Sequence, residues 1–188
     1  MKPQLGPEDF DAFYREVHGY SPFPWQRMLA ERVTRGEWPA CIDLPTASGK
    51  TACIDIAIFA LACQADRPVE ERTAPRRVFF VVDRRIVVDE AFSRADHIAR
   101  KLAGARDGVL RAVGDRLRSL SGAGESGEPL IATRMRGGVA LDDGWVRDPS
   151  RPAVITSTVD QVGSRLLFRG YGRSARVAAI DAGLVGND

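Results

Sequence analysis

A short apolar run ends in a proline and leads into a loop with one glycine and one lysine, and the residues after it are almost all apolar. In one-letter code, residues 40–64 read ACIDLPTASGKTACIDIAIFALACQ. The run 40–44 predicts a short strand, and 49–64 predicts a helix that is buried because it is apolar around most of its circumference. A strand, a loop and a buried helix in this order favour folds in which helices cover a sheet.

Predicted strands and helices alternate along most of the 188 residues. Runs with helical spacing lie at 7–19, 24–36, 86–102, 107–120 and 159–168. Runs of β-branched, aromatic or other apolar residues, typical of buried strands, lie at 78–82, 130–135, 153–158 and 176–180. The alternation predicts an α/β fold with a parallel sheet and right-handed crossovers.

Composition gives weaker indications about partners and compartment. The formal net charge is only +2, but 24 arginines stand against three lysines. Arginine suits phosphate and carboxylate, so nucleic-acid contact is one explanation; codon usage in a GC-rich genome is the other. No apolar stretch has transmembrane length, and the N-terminus lacks a signal-peptide core, which predicts a cytoplasmic protein without membrane contact. Cys41, Cys53 and Cys63 lack CxxC spacing and are predicted to be reduced core residues.

The loop itself resembles a phosphate-binding pattern. Residues 44–51 fit GxxxxGK(S/T) except at the first position, where Leu44 replaces glycine. Backbone N–H groups at the start of the following helix would line an anion site, and Lys50 would neutralise the β- and γ-phosphates. The Thr51 hydroxyl would join a Mg²⁺ shell. The predicted ligands are therefore ATP and Mg²⁺, and the alternative is a Gly-Lys helix start without a ligand. The predicted nucleotide-binding residues of the loop are Thr46, Ala47, Ser48, Gly49, Lys50 and Thr51.

A glutamine precedes the loop in the sequence SPFPWQ, residues 21–26. The side-chain amide of Gln26 offers donors and an acceptor that match N6 and N7 of adenine. Phe23 or Trp25 would provide a stacking surface. Ahead of a phosphate loop, Phe23 and Gln26 predict adenine recognition; a solvent-facing glutamine on an amphipathic helix is the alternative.

Taken together, the motifs resemble those of superfamily 2 helicases. SPFPWQ resembles the Q motif, and PTASGKT resembles motif I, with Ala47 where a glycine is common. Similar likenesses hold for RRVFFVVDRRIVVDEA (76–91, motif Ia), ATRMRGG (132–138, motif Ib) and ITSTVDQVGSRLL (155–167, motif Ic). VVDRRIVVDEA, MRGG and TSTVDQ jointly look most like the helicase-nuclease of type I CRISPR–Cas systems. The resemblance covers about residues 21–188 and favours the subtype with an N-terminal helicase and a C-terminal HD nuclease.

The resemblance implies a RecA-like P-loop domain, with a parallel sheet flanked by helices, that is incomplete at the C-terminus. N-terminal helices with the Q motif would occupy 1–38, and helicase domain 1, truncated before the Asp-Glu box, would occupy 39–188. The implied activity is ATP-dependent movement on DNA in CRISPR interference, with single-stranded DNA and a guide-RNA surveillance complex as partners. The implied nucleic-acid contacts are Arg134, Arg136, Gly137, Gly138, Thr156, Ser157, Thr158 and Gln161. A solvated Arg-Gly-Gly turn and a helix cap are the alternatives for these residues.

Hydrolysis would also need a carboxylate pair at the end of a strand. Asp89-Glu90 follows only three apolar residues, so we expect it in the first turns of a helix. Asp181 ends an apolar run, but no glutamate follows it. Asp83, after 78–82, is the alternative Mg²⁺ ligand of a compact P-loop NTPase or kinase. We expect ATP binding without turnover by this chain; a non-catalytic nucleotide- or nucleic-acid-binding module is a further alternative.

Overall fold

A computed structural model describes residues 5–122, 124, 127–138, 143–170 and 174–186. The helices in these ranges are α1 (Phe10–His18), α2 (Pro24–Thr34), α3 (Cys53–Cys63), α4 (Arg85–Gly104), α5 (Gly108–Ser121), α6 (Gly144–Arg147), α7 (Val159–Leu166) and α8 (Ala175–Gly186). The strands are β1 (Arg77–Val82), β2 (Ile131–Met135) and β3 (Ala153–Thr158). Short 3-10 turns lie at Pro7–Asp9, Lys50–Ala52 and Val69–Glu71.

The three strands form one parallel sheet in the order β1-β3-β2. Val82 of β1 is level with Thr158 of β3, and Met135 of β2 is level with Ser157. The carboxyl ends of all three strands therefore lie along one edge of the sheet. This arrangement confirms the predicted α/β class with a parallel sheet between helices.

Side chains alternate between the two faces of the sheet, as the period of a strand requires. Val78, Phe80 and Val154 join the larger core, which also contains residues of α1 to α5. Phe79 and Ile155 join a smaller core on the opposite face, beneath α6, α7 and α8. Helices thus cover both faces, as expected of parallel strands.

The N-terminal helices are part of the larger core. The rings of Phe10 and Phe13 on α1 each lie 5.4 Å from the ring of Phe59 on α3. Helix α3 is buried along Ile54–Ala62 and packs against α2 and α5, which confirms the buried helix predicted from its composition. Of the helices in the described ranges, none is long and apolar enough to cross a bilayer.

Two predicted strands are wrong. Residues 40–44 pair with no strand in the described part of the chain, although the side chains of 41–44 alternate between exposed and partly covered. The pattern of a strand is present there, but no strand among the residues that the structure describes hydrogen-bonds to it. Residues 176–180 belong to α8, because the four alanines in and beside this segment, at 175, 178, 179 and 182, are strong helix formers.

The cysteine prediction is partly wrong as well. All three thiols are free, as expected, but Cys41 is exposed rather than part of the core. Cys53 and Cys63 are partly buried and pack against the larger core. Burial raises the pKa of the Cys63 thiol to about 12.

Candidate nucleotide site and arginine edge

The predicted phosphate loop connects an extended approach to the start of α3. Gly49 adopts a left-handed conformation with φ of 76°, and the 3-10 turn Lys50–Ala52 follows directly. The first N–H groups of a helix have no partner inside it and carry the positive end of the helix dipole. The amides of Lys50 and Thr51 lie at such an end, so the backbone there favours an anion.

The ammonium group of Lys50 lies over the loop. It is exposed, and Nζ donates to the carbonyl oxygens of Leu44 and Pro45 at 2.7 and 2.8 Å. The Ser48 hydroxyl also donates to the Pro45 carbonyl, at 2.7 Å. An ammonium has three N–H donors, so one remains beyond these two contacts. The loop therefore presents a positive charge at the N-terminal end of α3.

Side chains at the start of α2 form hydrogen bonds with the other side of the loop. Gln26 is only 1% exposed; its Oε1 accepts from the Phe23 N–H at 2.8 Å, and its Nε2 donates to the Gly49 carbonyl at 3.2 Å. The Trp25 indole N–H donates to the Ser48 carbonyl at 2.9 Å. Gln26 and Trp25 thus position the loop through its backbone, a role that sequence patterns did not indicate.

Phe23 is the aromatic residue at this loop that is left for stacking. Its side chain is 54% exposed, and a Cβ placed on Gly49 would lie 3.3 Å from its ring. Trp25 is committed to the Ser48 carbonyl. Of the two aromatic candidates proposed from the sequence, Phe23 is therefore the one with an exposed face next to the predicted phosphate loop.

Thr51 is the predicted protein ligand of a metal at this site. Among the residues that the structure describes, no three His, Cys, Asp or Glu side chains form a possible metal group. Thr51 is partly exposed at the start of the helix, where its hydroxyl can contribute one oxygen ligand. This fits Mg²⁺ held mainly by phosphate oxygens and water, with Thr51 as the protein ligand.

A cluster of arginines lies at the edge where the carboxyl ends of the strands meet. Nη1 of Arg134 and Nε of Arg136 contact the same oxygen, Oδ1 of Asp89, at 2.9 and 2.8 Å. The Arg134 guanidinium also lies 4.9 Å from the ring centre of Phe92. The hydrogen bond from Arg136, with that from Arg134, lowers the pKa of Asp89 below its ordinary value, although desolvation opposes them.

Two more arginines begin α4 at the same edge. Arg84 and Arg85 are exposed, and the first turn of the helix carries no acidic residue. A Cβ on Gly137 would lie 3.3 Å from a terminal nitrogen of Arg85. Cations at a helix N-terminus are unfavourable, because the dipole is positive there. The positive charges and the dipole together favour an anion at this surface. We call it the arginine edge; it consists of Arg84, Arg85, Arg134, Arg136, Gly137 and the exposed Gly138.

The remaining predicted nucleic-acid residues are mostly turned inward. Thr156 and Ser157 are buried and donate to the carbonyls of Thr133 and Thr158, at 3.3 and 3.0 Å. Thr158 is the N-cap residue of α7. The Gln161 side-chain oxygen accepts from Arg165 at 3.1 Å. The hydroxyls of Thr156 and Ser157 thus form hydrogen bonds with backbone carbonyls of the strands, and the charged groups in this region are those of the arginine edge.

The acidic candidates occupy different environments. Asp89 and Glu90 lie in the second turn of α4, which confirms that they are not a carboxylate pair at the end of a strand. Asp181 is buried in α8, and its carboxylate lies 3.4 Å from Nε of Arg165. Asp83 is exposed directly after β1.

Sequence reasoning missed a buried polar cluster between α1, α3 and α4. Asp55 is fully buried; its Oδ1 lies 2.6 Å from Nε2 of His18, and its Oδ2 accepts from Nε of Arg94 at 2.5 Å. Arg94 also donates to the Tyr14 hydroxyl at 3.0 Å. Burial raises the pKa of Tyr14. These partners are 37 to 80 residues apart in sequence, and the available signal was a single acid within an apolar helix.

Fold and site together define an α/β protein with a parallel three-stranded sheet, an arrangement compatible with Rossmann-like and P-loop folds. No protein-family model, curated protein or solved structure gives a significant match to this chain.

Proposed function

We propose that this chain is the ATP-binding part of a superfamily 2 DNA helicase or translocase that acts in CRISPR interference on single-stranded DNA. The observation that carries the proposal is the position of Lys50. Its ammonium lies over the carbonyls of the loop at the N-terminal end of α3, where backbone N–H groups and the dipole favour phosphate.

An aromatic face beside the loop supports the binding of a base, and we propose that this base is adenine. Phe23 presents an exposed ring beside Gly49, and Gln26 holds Phe23 and the loop together through backbone hydrogen bonds. Stacking on an aromatic face does not select one base by itself. The Gln26 amide is 1% exposed and already contacts the Phe23 N–H and the Gly49 carbonyl, so selection of adenine by Gln26 would require it to give up one of these contacts.

The arginine edge supports the nucleic-acid part of the proposal. Arg84, Arg85, Arg134 and Arg136 gather at the carboxyl ends of parallel strands, beside two glycines that allow a close approach to the backbone. Charged contacts of this kind bind the phosphates of a single strand without reading its sequence.

Titration with a fluorescent ATP analogue tests the nucleotide part. We expect Lys50→Ala to weaken binding at least about tenfold, which corresponds to about 1.4 kcal/mol, while the thermal unfolding curve is unchanged because Lys50 is exposed. Lys101→Ala is the matched control: it removes an exposed lysine on α4 and leaves affinity unchanged. Equal affinity of the wild type and Lys50→Ala would contradict the proposal.

A further inference from the structure

The carboxylate of Asp89 occupies a position in which a phosphate of a nucleic-acid backbone would also be favourable. Arg134 and Arg136 approach a single Asp89 oxygen, so one anion lies between two cations. Arginine donates to carboxylate and phosphate oxygens with the same planar fork. A phosphate between these two guanidinium groups would have to replace the carboxylate.

We infer that Asp89 is an intramolecular competitor for nucleic-acid phosphate, which occupies the arginine edge and limits how tightly it binds a single strand. The inference rests on the proposed function, because it describes regulation of the same edge. It adds a residue that the motifs did not place in contact with the site.

The contacts place Asp89 at the surface of the edge. The side chains of Arg134, Arg136 and Asp89 are 29%, 21% and 30% exposed, so solvent and ligands reach the ion pairs. Ion pairs open to solvent add little to stability, so we expect Asp89→Asn to fold. The Arg134 guanidinium also lies over the Phe92 ring, a contact that does not involve Asp89.

The next residue on α4 provides a control. Glu90 is exposed, and the structure shows no ion pair for it in the described part of the chain. Glu90→Gln and Asp89→Asn change the net charge by the same amount within one turn of one helix. Asp89→Asn alone removes the anion that the two arginines share, and it keeps the shape of the side chain.

Fluorescence anisotropy with a labelled single-stranded oligonucleotide, repeated over a range of salt concentrations, tests the inference. We expect Asp89→Asn to bind about fivefold more tightly, the size expected of one unit charge a few ångströms from another in water. Its log–log salt slope should steepen by roughly 0.7, since one more phosphate is neutralised. Glu90→Gln should change affinity much less, and Asp89→Asn should have no effect when Arg134→Ala and Arg136→Ala are also present.

Each other outcome has a definite meaning. Unchanged or weaker binding by folded Asp89→Asn, or an equal gain from Glu90→Gln, would overturn the inference and leave the proposed function intact. If neither the wild type nor any variant binds the oligonucleotide detectably at low salt, the nucleic-acid part of the proposed function is contradicted, and the inference with it. Thermal unfolding establishes that each variant is folded, and Asp89→Ser serves as a second charge-removing variant.

Discussion

Ala47 in the proposed phosphate loop has a backbone conformation that suits glycine. Its φ is 63°, in the left-handed region, where a Cβ costs roughly 1–2 kcal/mol. We therefore expect Ala47→Gly to raise the free energy of unfolding by up to about 1 kcal/mol, because part of the gain is offset by the greater freedom of glycine in the unfolded chain. Urea denaturation measures the change.

Ala99→Gly is the matched control for this substitution. Ala99 lies within α4, where glycine costs about 1 kcal/mol relative to alanine. The two substitutions should thus shift stability in opposite directions. A loss of stability in both variants would show that the loop does not hold Ala47 in the left-handed conformation.

Gln26 gives a second prediction at the scale of single residues. Its amide is committed to the Phe23 N–H and the Gly49 carbonyl, so Gln26→Ala should lose about 1 kcal/mol of stability for each hydrogen bond. Affinities for ATP and GTP should fall together, because the proposed phosphate-binding loop is loosened. Competition between the two nucleotides measures this, and Met28→Ala, at an exposed position of α2, is the control.

A different result would assign Gln26 another role. If adenine recognition dominates, the preference for ATP over GTP should fall by about 1–3 kcal/mol with little loss of stability. The sequence identified Gln26 as a site residue, but it could not show that the amide also holds the loop. That depends on Gly49 lying against the start of α2, which is a tertiary contact.

At the scale of elements, Asp55 links α3, the helix after the proposed phosphate loop, to α4, the helix that begins at the arginine edge. Helix α3 carries Asp55 one turn after Thr51, and α4 carries Arg94. Because Asp55 is fully buried, Asp55→Ala leaves Arg94 without its counter-charge and should cost about 3–5 kcal/mol of unfolding free energy.

The surface pair on α4 provides the comparison for Asp55. Asp96 and Arg100 are exposed at 39% and 73%, so Asp96→Ala should cost less than about 1 kcal/mol. Denaturant unfolding of both variants measures the difference. Equal, small losses would show that the buried cluster does not hold α3 and α4 together.

Elements were predictable from sequence where a local pattern decided their structure. The spacing of apolar residues identified α1, α2, α4 and α5, and the runs VFFVV and AVITST identified β1 and β3. The prediction failed for 40–44, because a strand also needs a hydrogen-bonded neighbour, which no local pattern supplies. It failed for 176–180, because two β-branched residues did not outweigh four alanines at 175–182 and the packing of α8 on α7.

At the scale of the whole molecule, the parallel sheet brings distant segments to one edge. The order β1-β3-β2 could not be predicted, since sequence patterns do not specify which strands are neighbours. That order places Arg134, near the end of β2, and Arg136, directly after it, beside the first turns of α4, which follows β1. The ion pairs of Asp89 could not be predicted from the sequence for the same reason, because they join residues that are 45 and 47 positions apart.

The nucleotide site is the claim on which the rest of the proposal depends, and the number of phosphates in the ligand tests it most directly. Calorimetric titration with adenosine, AMP, ADP and ATP should show affinity that rises steeply with each phosphate for the wild type, because Lys50 and the start of α3 attract the β- and γ-phosphates. For Lys50→Ala the rise should be much shallower, with adenosine affinity unchanged. Wild-type affinity that is independent of phosphate number, or a rise that survives in Lys50→Ala, would contradict a phosphate-binding loop at residues 44–51.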